Sequence, residues 1–202
     1  MFLVLEGIDG CGKSTQAKVL VAELEQRGKE TLHLREPGGT ALGDTLRQLI
    51  LSLESGVEIH SRAEALLYSA ARAELVRGVI RPALAAGKWV VCERFHYSTL
   101  SYQGYGLGED LAHLRALSDY ATEMTRPDRV ILLDVDPAIA LARVGKSLDR
   151  IESRGLEYMR RVRDGYLYLA GLEPERFRTV DAGGTSEECR AAVLETLADV
   201  LP

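Results

Sequence analysis

Residues 7–14 read Gly7-Ile8-Asp9-Gly10-Cys11-Gly12-Lys13-Ser14 and fit the pattern GxxxxGK[ST]. The apolar run Phe2–Glu6 precedes them, and apolar residues recur at helical spacing after them. Glycines allow successive backbone N–H groups to surround phosphate oxygens, and the start of a helix adds the positive end of its dipole. Lys13 can reach the β- and γ-phosphates, and the Ser14 hydroxyl can hold Mg²⁺. The stretch therefore predicts a strand–loop–helix unit that binds a nucleoside triphosphate.

Strands and helices alternate along the rest of the chain. The predicted strands are Phe2–Glu6, Thr31–Arg35, Trp89–Arg94, Arg129–Val135 and Phe177–Asp181. The later predicted helices cover Leu42–Leu53, Ser61–Ala86, Glu109–Glu123, a segment starting at Pro137, a long segment ending near Gly171, and Ser186–Leu201. Glycines at positions 104, 106 and 108 predict a loop after the third strand. Five strands separated by helices indicate an α/β fold with a parallel sheet covered on both faces. The 202 residues suit a single domain, 1–202.

The composition excludes several classes of protein. The chain has 25 Lys and Arg against 30 Asp and Glu, a net charge of −5, so we expect no nucleic-acid partner. Cys11, Cys92 and Cys189 lie far apart and form no disulfide framework, and the four histidines have no metal-ligand spacing. The first residues lack the basic segment of a secretory signal, and no apolar run reaches the length of a membrane span. We therefore expect a cytoplasmic protein with no membrane partner.

A carboxylate near the Mg²⁺ is expected at the end of a strand close to the phosphate loop. Glu93, at the end of the third predicted strand, is the first candidate. Asp134 and Asp136, at the end of the fourth strand, are weaker candidates. The sequence lacks the NKxD motif by which small GTPases read guanine, so the phosphate loop here favours a class of protein other than a small GTPase.

Six further strings accompany the phosphate loop with its internal acidic residue. They are REPGGT (Arg35–Thr40), LLYSAAR (Leu66–Arg72), ERFHYSTLSYQG (Glu93–Gly104), LDVDP (Leu133–Pro137), LDRIE (Leu148–Glu152) and VDAGG (Val180–Gly184). In this order and at about this spacing, the set resembles the thymidylate kinase family over nearly the whole chain. The resemblance implies a P-loop fold of the nucleoside monophosphate kinase type, with a five-stranded parallel sheet and a lid. It also implies transfer of the γ-phosphoryl group of ATP to dTMP, Mg²⁺ as cofactor, and a homodimer.

The resemblance assigns the acceptor nucleotide to a set of side chains. Asp9 would accept a hydrogen bond from the 3′-hydroxyl of dTMP. Tyr68 would stack on thymine, and Arg72, one helical turn later, would reach the thymine O4. Arg94 would contact the dTMP phosphate, and Arg47 is a further candidate for the same contact.

Further residues of the acceptor site follow from the same resemblance. Ser98 and Gln103 would read the edge of the base and sugar. Tyr102 would crowd the 2′ position and exclude a ribose hydroxyl. Glu36 would shape the acceptor site from the EPGG string.

The ATP site is implied in the same way. The phosphates would contact Gly7, Ile8, Asp9, Gly10, Cys11, Gly12, Lys13, Ser14 and Thr15. Arg143 would stack on adenine, and Mg²⁺ would lie near Ser14 and Glu93. The catalytic residues would be Lys13, Arg94, Glu93 and one basic residue of the lid.

The lid is predicted at residues 143–154. From Arg143 to Asp164 the chain has seven basic and four acidic residues, in contrast to its net negative charge. Many members of the family carry an arginine in the phosphate loop where this chain has Gly10. A bacterial subgroup without that arginine uses basic lid residues instead, and this chain resembles that subgroup. Arg150 is the first candidate for contact with the transferred phosphoryl group, and Lys146 and Arg154 are the alternatives.

One departure from the family pattern leaves other functions open. The family usually has Asp-Arg after the third strand, and this chain has Glu93-Arg94. In deoxynucleoside kinases a Glu-Arg pair at this place supplies a base for a sugar hydroxyl, so such a kinase is the alternative enzyme. A nucleotide-binding subunit without transfer activity is a second alternative. The apolar face of Ser61–Ala86 suits a dimer interface and equally a monomer core.

Overall fold

Five short apolar runs form the strands of one sheet. In the computed structural model, which describes residues 1–53, 56–145 and 149–201, they are β1 (Phe2–Glu6), β2 (Thr31–Arg35), β3 (Trp89–Glu93), β4 (Arg129–Asp134) and β5 (Phe177–Asp181). Their order is β2-β3-β1-β4-β5, and every neighbouring pair is parallel. All five residues of β1 are buried, as a central strand covered on both faces requires. The predicted α/β fold with a five-stranded parallel sheet is confirmed.

Helices connect the strands and cover the sheet. They are α1 (Lys13–Gln26), α2 (Ala41–Leu51), α3 (Ser61–Leu75), α4 (Arg81–Ala85), α5 (His96–Thr99), α6 (Leu111–Ala121), α7 (Pro137–Val144), α8 (Leu156–Leu172) and α9 (Ser186–Thr196). Two segments have π-helical hydrogen bonding, π1 (Val76–Ile80) and π2 (Leu100–Gly106), and Glu152–Arg154 forms a turn of 3₁₀ helix. Capping residues mark the start of several helices. At α2 the Thr40 hydroxyl accepts a hydrogen bond from the Gly43 N–H, and at α7 the Asp136 side chain caps the helix while Pro137 occupies its first turn.

The predicted glycine loop at 104–108 is wrong over its first part. Helix α5 runs without a break into π2, so residues 96–106 are helical. A Cβ on Gly104 would lie 2.5 Å from Leu111 Cδ2, and one on Gly106 would lie 2.6 Å from Tyr158 Cε2. These two glycines therefore allow close packing of neighbouring helices, and the composition of the segment misled the prediction because close packing and turns both favour glycine.

Two other predicted boundaries change. The single helix predicted over Ser61–Ala86 is a continuous helical segment in which π1 separates α3 from α4. The helix predicted to reach Leu201 ends at Thr196 and is followed by turns. Helix ends are the least predictable part of an element because the terminal residues make few tertiary contacts.

The chain leaves β1 directly into the phosphate loop. Since β1 lies between β3 and β4, the loop stands above the middle of the sheet at the carboxyl ends of the strands, where parallel sheets bind their ligands. Ala17, Leu20 and Leu24 are buried on the inner face of α1, so the loop rests on a packed support. No helix of the described ranges is long and apolar enough to cross a bilayer.

Candidate active site

The phosphate loop has the backbone that only glycine adopts easily. Gly7, Gly10 and Gly12 have φ values of 138°, 82° and 97°. A Cβ on Gly7 would lie 2.5 Å from the carbonyl oxygen of Leu133. The first turn of α1 then begins at Lys13 and presents its free N–H groups to the loop. The loop is therefore shaped to receive an anion.

Lys13 holds its ammonium group inside this loop. Its Nζ donates to the carbonyl oxygens of Gly7 (3.0 Å) and Ile8 (2.8 Å) and lies 3.5 Å from Cys11 Sγ. The residue is only 8% exposed. A buried cation held by backbone dipoles is ready to bind the phosphates of a nucleotide.

Ser14 and Glu93, each of which was predicted beside Mg²⁺, are in direct contact. Ser14 Oγ donates to Glu93 Oε2 at 2.5 Å, and the other oxygen of Glu93 lies 3.0 Å from His33 Nε2. A hydroxyl and a carboxylate beside a phosphate loop are hard oxygen donors that suit Mg²⁺. The weaker candidates lie elsewhere, because Asp134 pairs with Arg163 at 2.7 and 2.8 Å and Asp136 caps α7.

Asp9, Arg94 and Tyr102 form a second cluster beside the loop. Arg94 Nη2 donates to Asp9 Oδ1 at 2.5 Å, and the Tyr102 hydroxyl donates to Asp9 Oδ2 at 2.8 Å. The Arg94 guanidinium carbon lies 4.8 Å from the centre of the Tyr102 ring. Burial acts to raise the pKa of Asp9, but Arg94, Lys13 and the two hydrogen bonds outweigh it and lower the pKa. Asp9 is therefore ionised.

Glu6 supports this cluster from below and was not singled out from the sequence. It is fully buried, and its carboxylate accepts from the backbone N–H groups of Phe95 and Ser98 and from the hydroxyls of Ser98 and Tyr166. These bonds hold the start of α5 immediately after Arg94. They also engage the Ser98 hydroxyl at 2.6 Å, which leaves it less available to a ligand than predicted.

A cavity of about 450 Å³, the α3 cavity, adjoins this cluster. Its lining includes all the predicted acceptor residues except Arg72, namely Asp9, Glu36, Arg47, Tyr68, Arg94, Ser98, Tyr102 and Gln103. Gln103 Nε2 donates to the buried Glu64 at 2.8 Å. Asp149, which was not predicted as a site residue, also lines the cavity. The α3 cavity thus brings together residues that are distant in sequence.

Arg72 lies behind the wall of the α3 cavity. It is 1% exposed, and its guanidinium donates to Glu36 Oε2 (2.6 Å), Thr99 Oγ1 (2.9 Å) and the Phe95 carbonyl (3.1 Å). Glu36 keeps its other oxygen, Oε1, buried without a hydrogen bond among the described residues. Burial raises the pKa of Glu36 to about 7, although Arg72 acts in the opposite direction.

A larger cavity of about 920 Å³, the loop cavity, lies over the phosphate loop. It shares Asp9, Glu36, Arg47 and Arg94 with the α3 cavity. Its other lining residues are Gly10, Gly12, Lys13, Ser14, Thr15, Arg35, Glu93 and Arg143. The two cavities therefore meet at a wall of charged side chains. Arg35, which sequence reasoning had not assigned to the site, lines the loop cavity alone.

A third cavity of about 520 Å³, the α9 cavity, continues from the loop toward α9. Cys11, Thr15 and Arg143 line it together with five residues after β5, namely Ala182, Gly184, Thr185, Ser186 and Cys189. The Arg143 guanidinium donates to the carbonyls of Ala182 (2.7 Å), Gly183 (2.9 Å) and Gly184 (3.1 Å). The VDAGG string thus fixes Arg143 at the boundary between the loop and α9 cavities.

The predicted lid candidates lie away from these cavities or outside the described residues. Arg150 donates to the carbonyls of Ser52 (2.7 Å) and Val57 (2.6 Å), after α2, and lines none of the three cavities. Arg154 pairs with Glu64 at 2.6 Å, and Lys146 lies outside the described residues. In the described conformation Arg150 does not reach the phosphate loop, because its guanidinium is hydrogen-bonded to the backbone carbonyls of Ser52 and Val57 in the segment after α2.

A phosphate loop at the carboxyl end of a central parallel strand, open to cavities on both sides, defines a nucleotide-binding protein of the P-loop α/β class. The family model for thymidylate kinase matches residues 5–193. The chain therefore belongs to the thymidylate kinase family.

Individual relatives agree with this assignment. The chain is similar to the thymidylate kinase of a Synechococcus strain, with 48% identity over 202 residues that cover 100% of this chain and 96% of the relative. It is 46% identical over 208 residues to that of Chlorobium luteolum, covering 98% and 96% of the two chains. The crystal structure of thymidylate kinase from Ehrlichia chaffeensis superposes with a TM-score of 0.79 at 32% identity, covering 98% of each chain.

Proposed function

We propose that this protein transfers the γ-phosphoryl group of ATP to the 5′-phosphate of dTMP, giving dTDP and ADP. The observation that carries the proposal is the wall of charged residues, Asp9, Glu36, Arg47 and Arg94, shared by the α3 and loop cavities. Two anionic ligands in these cavities would meet at that wall, which is the arrangement that phosphoryl transfer needs.

ATP would occupy the loop and α9 cavities. Its phosphates would replace the loop carbonyls as partners of Lys13, and its base would enter the α9 cavity beside Arg143. Within the described ranges, no cluster of three or more acidic, histidine or cysteine side chains could hold a metal. Mg²⁺ would therefore take most of its coordination from phosphates and water, with Ser14 and Glu93 beside it, and it would neutralise charge on the transferred group.

The acceptor nucleotide would occupy the α3 cavity. Tyr68 offers an aromatic face for thymine, while Tyr102 fills the space beside the sugar and Asp9 accepts from its 3′-hydroxyl. Arg72 lies behind Thr99 and Glu36 and donates hydrogen bonds to both. It would therefore influence the base by holding these two lining residues in place, or by reaching the base beside them. The cavity combines apolar lining residues, Leu51 and Ile151, with the charged side chains that it shares with the loop cavity.

The reaction needs positive charge more than a proton acceptor. The acceptor phosphate is already an anion, so no strong base is required. Lys13 on one side and Arg94 with Arg47 on the other would balance the charge that spreads over the transferred group. Arg150 would reach that group only if the lid rearranges, because its guanidinium is bound to the carbonyls after α2.

The alternative functions fit the site less well. A deoxynucleoside kinase would use Glu93 as a base on a sugar hydroxyl. Here both Glu93 oxygens are engaged, by Ser14 and His33, and Glu93 lines the loop cavity rather than the α3 cavity. A subunit without activity would have no need for an acceptor cavity, and the α3 cavity keeps its aromatic and cationic lining.

We test the proposal by measuring ADP release with ATP, Mg²⁺ and one acceptor at a time. We expect strong turnover with dTMP and little with thymidine. Lys13→Ala should lower turnover at least about a hundredfold without unfolding, because it removes a preorganised cation. Lys18→Ala, on the exposed face of α1, is the matched control and should retain activity. Turnover with thymidine but not dTMP would favour the deoxynucleoside kinase, and no acceptor-dependent turnover would favour the binding subunit.

We also propose a cytoplasmic homodimer that uses α3 in its interface. Leu66 on α3 is 52% exposed, and Tyr120 at the end of α6, which packs on α3, is 87% exposed. Apolar side chains of this kind favour burial against a second copy. All three cysteines are free and buried, which suits a reducing compartment. Light scattering on the purified protein would test the dimer, and a monomer mass would contradict it.

A further inference from the structure

His33 lies beside the predicted metal site but has no role in the mechanism given above. Its Nε2 lies 3.0 Å from Glu93 Oε1. The His33 side chain is 29% exposed and that of Glu93 only 6%. The β2–β3 register pairs His33 with Val91 and Arg35 with Glu93, so these four side chains share one face of the sheet.

The hydrogen bonds form a chain that leads from β2 to the phosphate loop. In the tautomer that carries its proton on Nε2, His33 donates to one Glu93 oxygen, while Ser14 Oγ donates to the other. Ser14 donates its proton to Glu93, and no side chain of the described ranges donates to the Ser14 oxygen, which therefore keeps its lone pairs for a ligand in the loop cavity that Ser14 lines. That cavity is where a metal bound to phosphate would lie.

A glutamate needs such a second contact more than an aspartate does. It has one more rotatable bond, so its carboxylate reaches Ser14 in more than one rotamer and loses more entropy when it is fixed. Hydrogen bonding of the second oxygen to His33 restricts these rotamers. The Glu93 departure from the family pattern and the histidine on the neighbouring strand therefore act together.

We propose that His33 is a positioning residue for the magnesium site, which acts by holding Glu93 against the Ser14 hydroxyl. The inference rests on the proposed function, since it assumes that Mg²⁺ enters with ATP beside Ser14. His33 touches neither nucleotide nor metal in this account. Its contribution is to the order of the side chain that orients Ser14.

The test measures binding of a non-hydrolysable ATP analogue by calorimetry over a range of Mg²⁺ concentrations and in EDTA. His33→Ala should raise the Mg²⁺ concentration for half-maximal enhancement of binding about tenfold, the usual effect of removing an outer-shell partner. Affinity in EDTA should stay the same. His33→Gln, whose amide can donate to Glu93, should restore most of the Mg²⁺ response. Thr31→Ala, on the same strand and face, is the matched control and should match the wild type.

A double-mutant cycle with Glu93→Asp separates positioning from a general effect on the strand. The shorter side chain does not reach His33, so His33→Ala should cause no further change in the Glu93→Asp background. Three results would each overturn the inference. His33→Ala could weaken the Mg²⁺ response equally in the wild-type and Glu93→Asp backgrounds, it could lower analogue affinity in EDTA as much as in Mg²⁺, or it could leave the Mg²⁺ response unchanged.

The proposed function is checked separately by turnover of the wild-type protein with dTMP. In one outcome the wild type turns over dTMP and shows a normal Mg²⁺ response in analogue binding, while His33→Ala shows the same response. That result would overturn the role of His33 alone. Absence of any Mg²⁺-dependent binding in the wild type would overturn both.

Discussion

Arg94 has a backbone φ of 69°, in the left-handed region that a residue with a Cβ adopts at a cost of about 1–3 kcal/mol. It is the first residue after β3, and the bonds from Glu6 to Phe95 and Ser98 fix the backbone that follows. This conformation directs the guanidinium to Asp9 and to the wall between the cavities. The backbone of Arg94 is therefore strained at the position where the site requires its guanidinium to be fixed.

Tyr102 offers a test of sugar selection at this scale. It is 6% exposed, and its ring faces the Arg94 guanidinium while its hydroxyl donates to Asp9. Tyr102→Ala should improve the ratio of kcat/KM for the ribonucleotide to that for dTMP about tenfold, since it opens space at the 2′ position. Tyr102→Phe keeps the ring and should keep the discrimination. Kinetics with both acceptors would contradict the steric explanation if Phe and Ala relaxed selection equally.

At the scale of elements, an ion pair joins the predicted lid segment to α3. Glu64 on α3 is fully buried and pairs with Arg154, which is 20% exposed and whose guanidinium carbon lies 5.1 Å from the centre of the Tyr158 ring. Arg150 adds hydrogen bonds to the segment after α2. Both arginines therefore connect elements in the described conformation.

Removal of Arg154 should lower the free energy of unfolding, because the buried Glu64 loses its charged partner. Arg154→Ala should lower the free energy of unfolding by about 3 kcal/mol, because it leaves a carboxylate buried without its partner. Adding Glu64→Gln should recover part of this loss. Urea unfolding would measure both, with Arg160→Ala on the exposed surface of α8 as a control that changes stability by about 0.5 kcal/mol or less. Failure of Glu64→Gln to recover stability would contradict the buried-charge account.

Packing of α8 on π2 should be sensitive to a single methyl group. A Cβ on Gly106 would lie 2.6 Å from Tyr158 Cε2 and 2.9 Å from Val162 Cγ2. Gly106→Ala should therefore destabilise the fold by about 1–3 kcal/mol. Gly78→Ala, in π1 with no atom within 4 Å of the added Cβ, should be neutral or stabilising. Thermal melts that ranked the two variants in the opposite order would contradict this packing.

The stability of the whole molecule should depend on pH through Glu36. Its pKa rises from 4.5 to about 7 on folding, with burial as the main cause, so the native state binds more protons than the unfolded state between these pH values. Glu36 should therefore lower the free energy of unfolding as pH rises through this window, by up to about 3 kcal/mol. Glu36→Gln should flatten that slope, and Glu25→Gln on the exposed surface of α1 should not. Equal slopes in wild type and Glu36→Gln would contradict the prediction.

Local patterns in the sequence predict the strands and the phosphate loop, whereas the acceptor-site residues are predicted by the resemblance to the family. Apolar runs mark the strands, and the phosphate loop with Glu93 and Arg94 lies at their ends. Long-range partners leave no such pattern. The sequence therefore did not predict that His33 contacts Glu93, that Glu64 holds Arg154, or that Arg72 is buried. The helix at residues 96–106 was missed because its glycines serve packing.

The most direct test of the central claim follows the γ-phosphoryl group itself. The protein is mixed with dTMP, Mg²⁺ and ATP labelled with ³²P at the γ position, and the products are separated by chromatography. The account predicts that the label appears in dTDP in the same amount as the ADP formed, because acceptor and donor phosphates would meet at the shared wall of Asp9, Arg47 and Arg94. Label in inorganic phosphate alone, or on thymidine but never on dTMP, would contradict it.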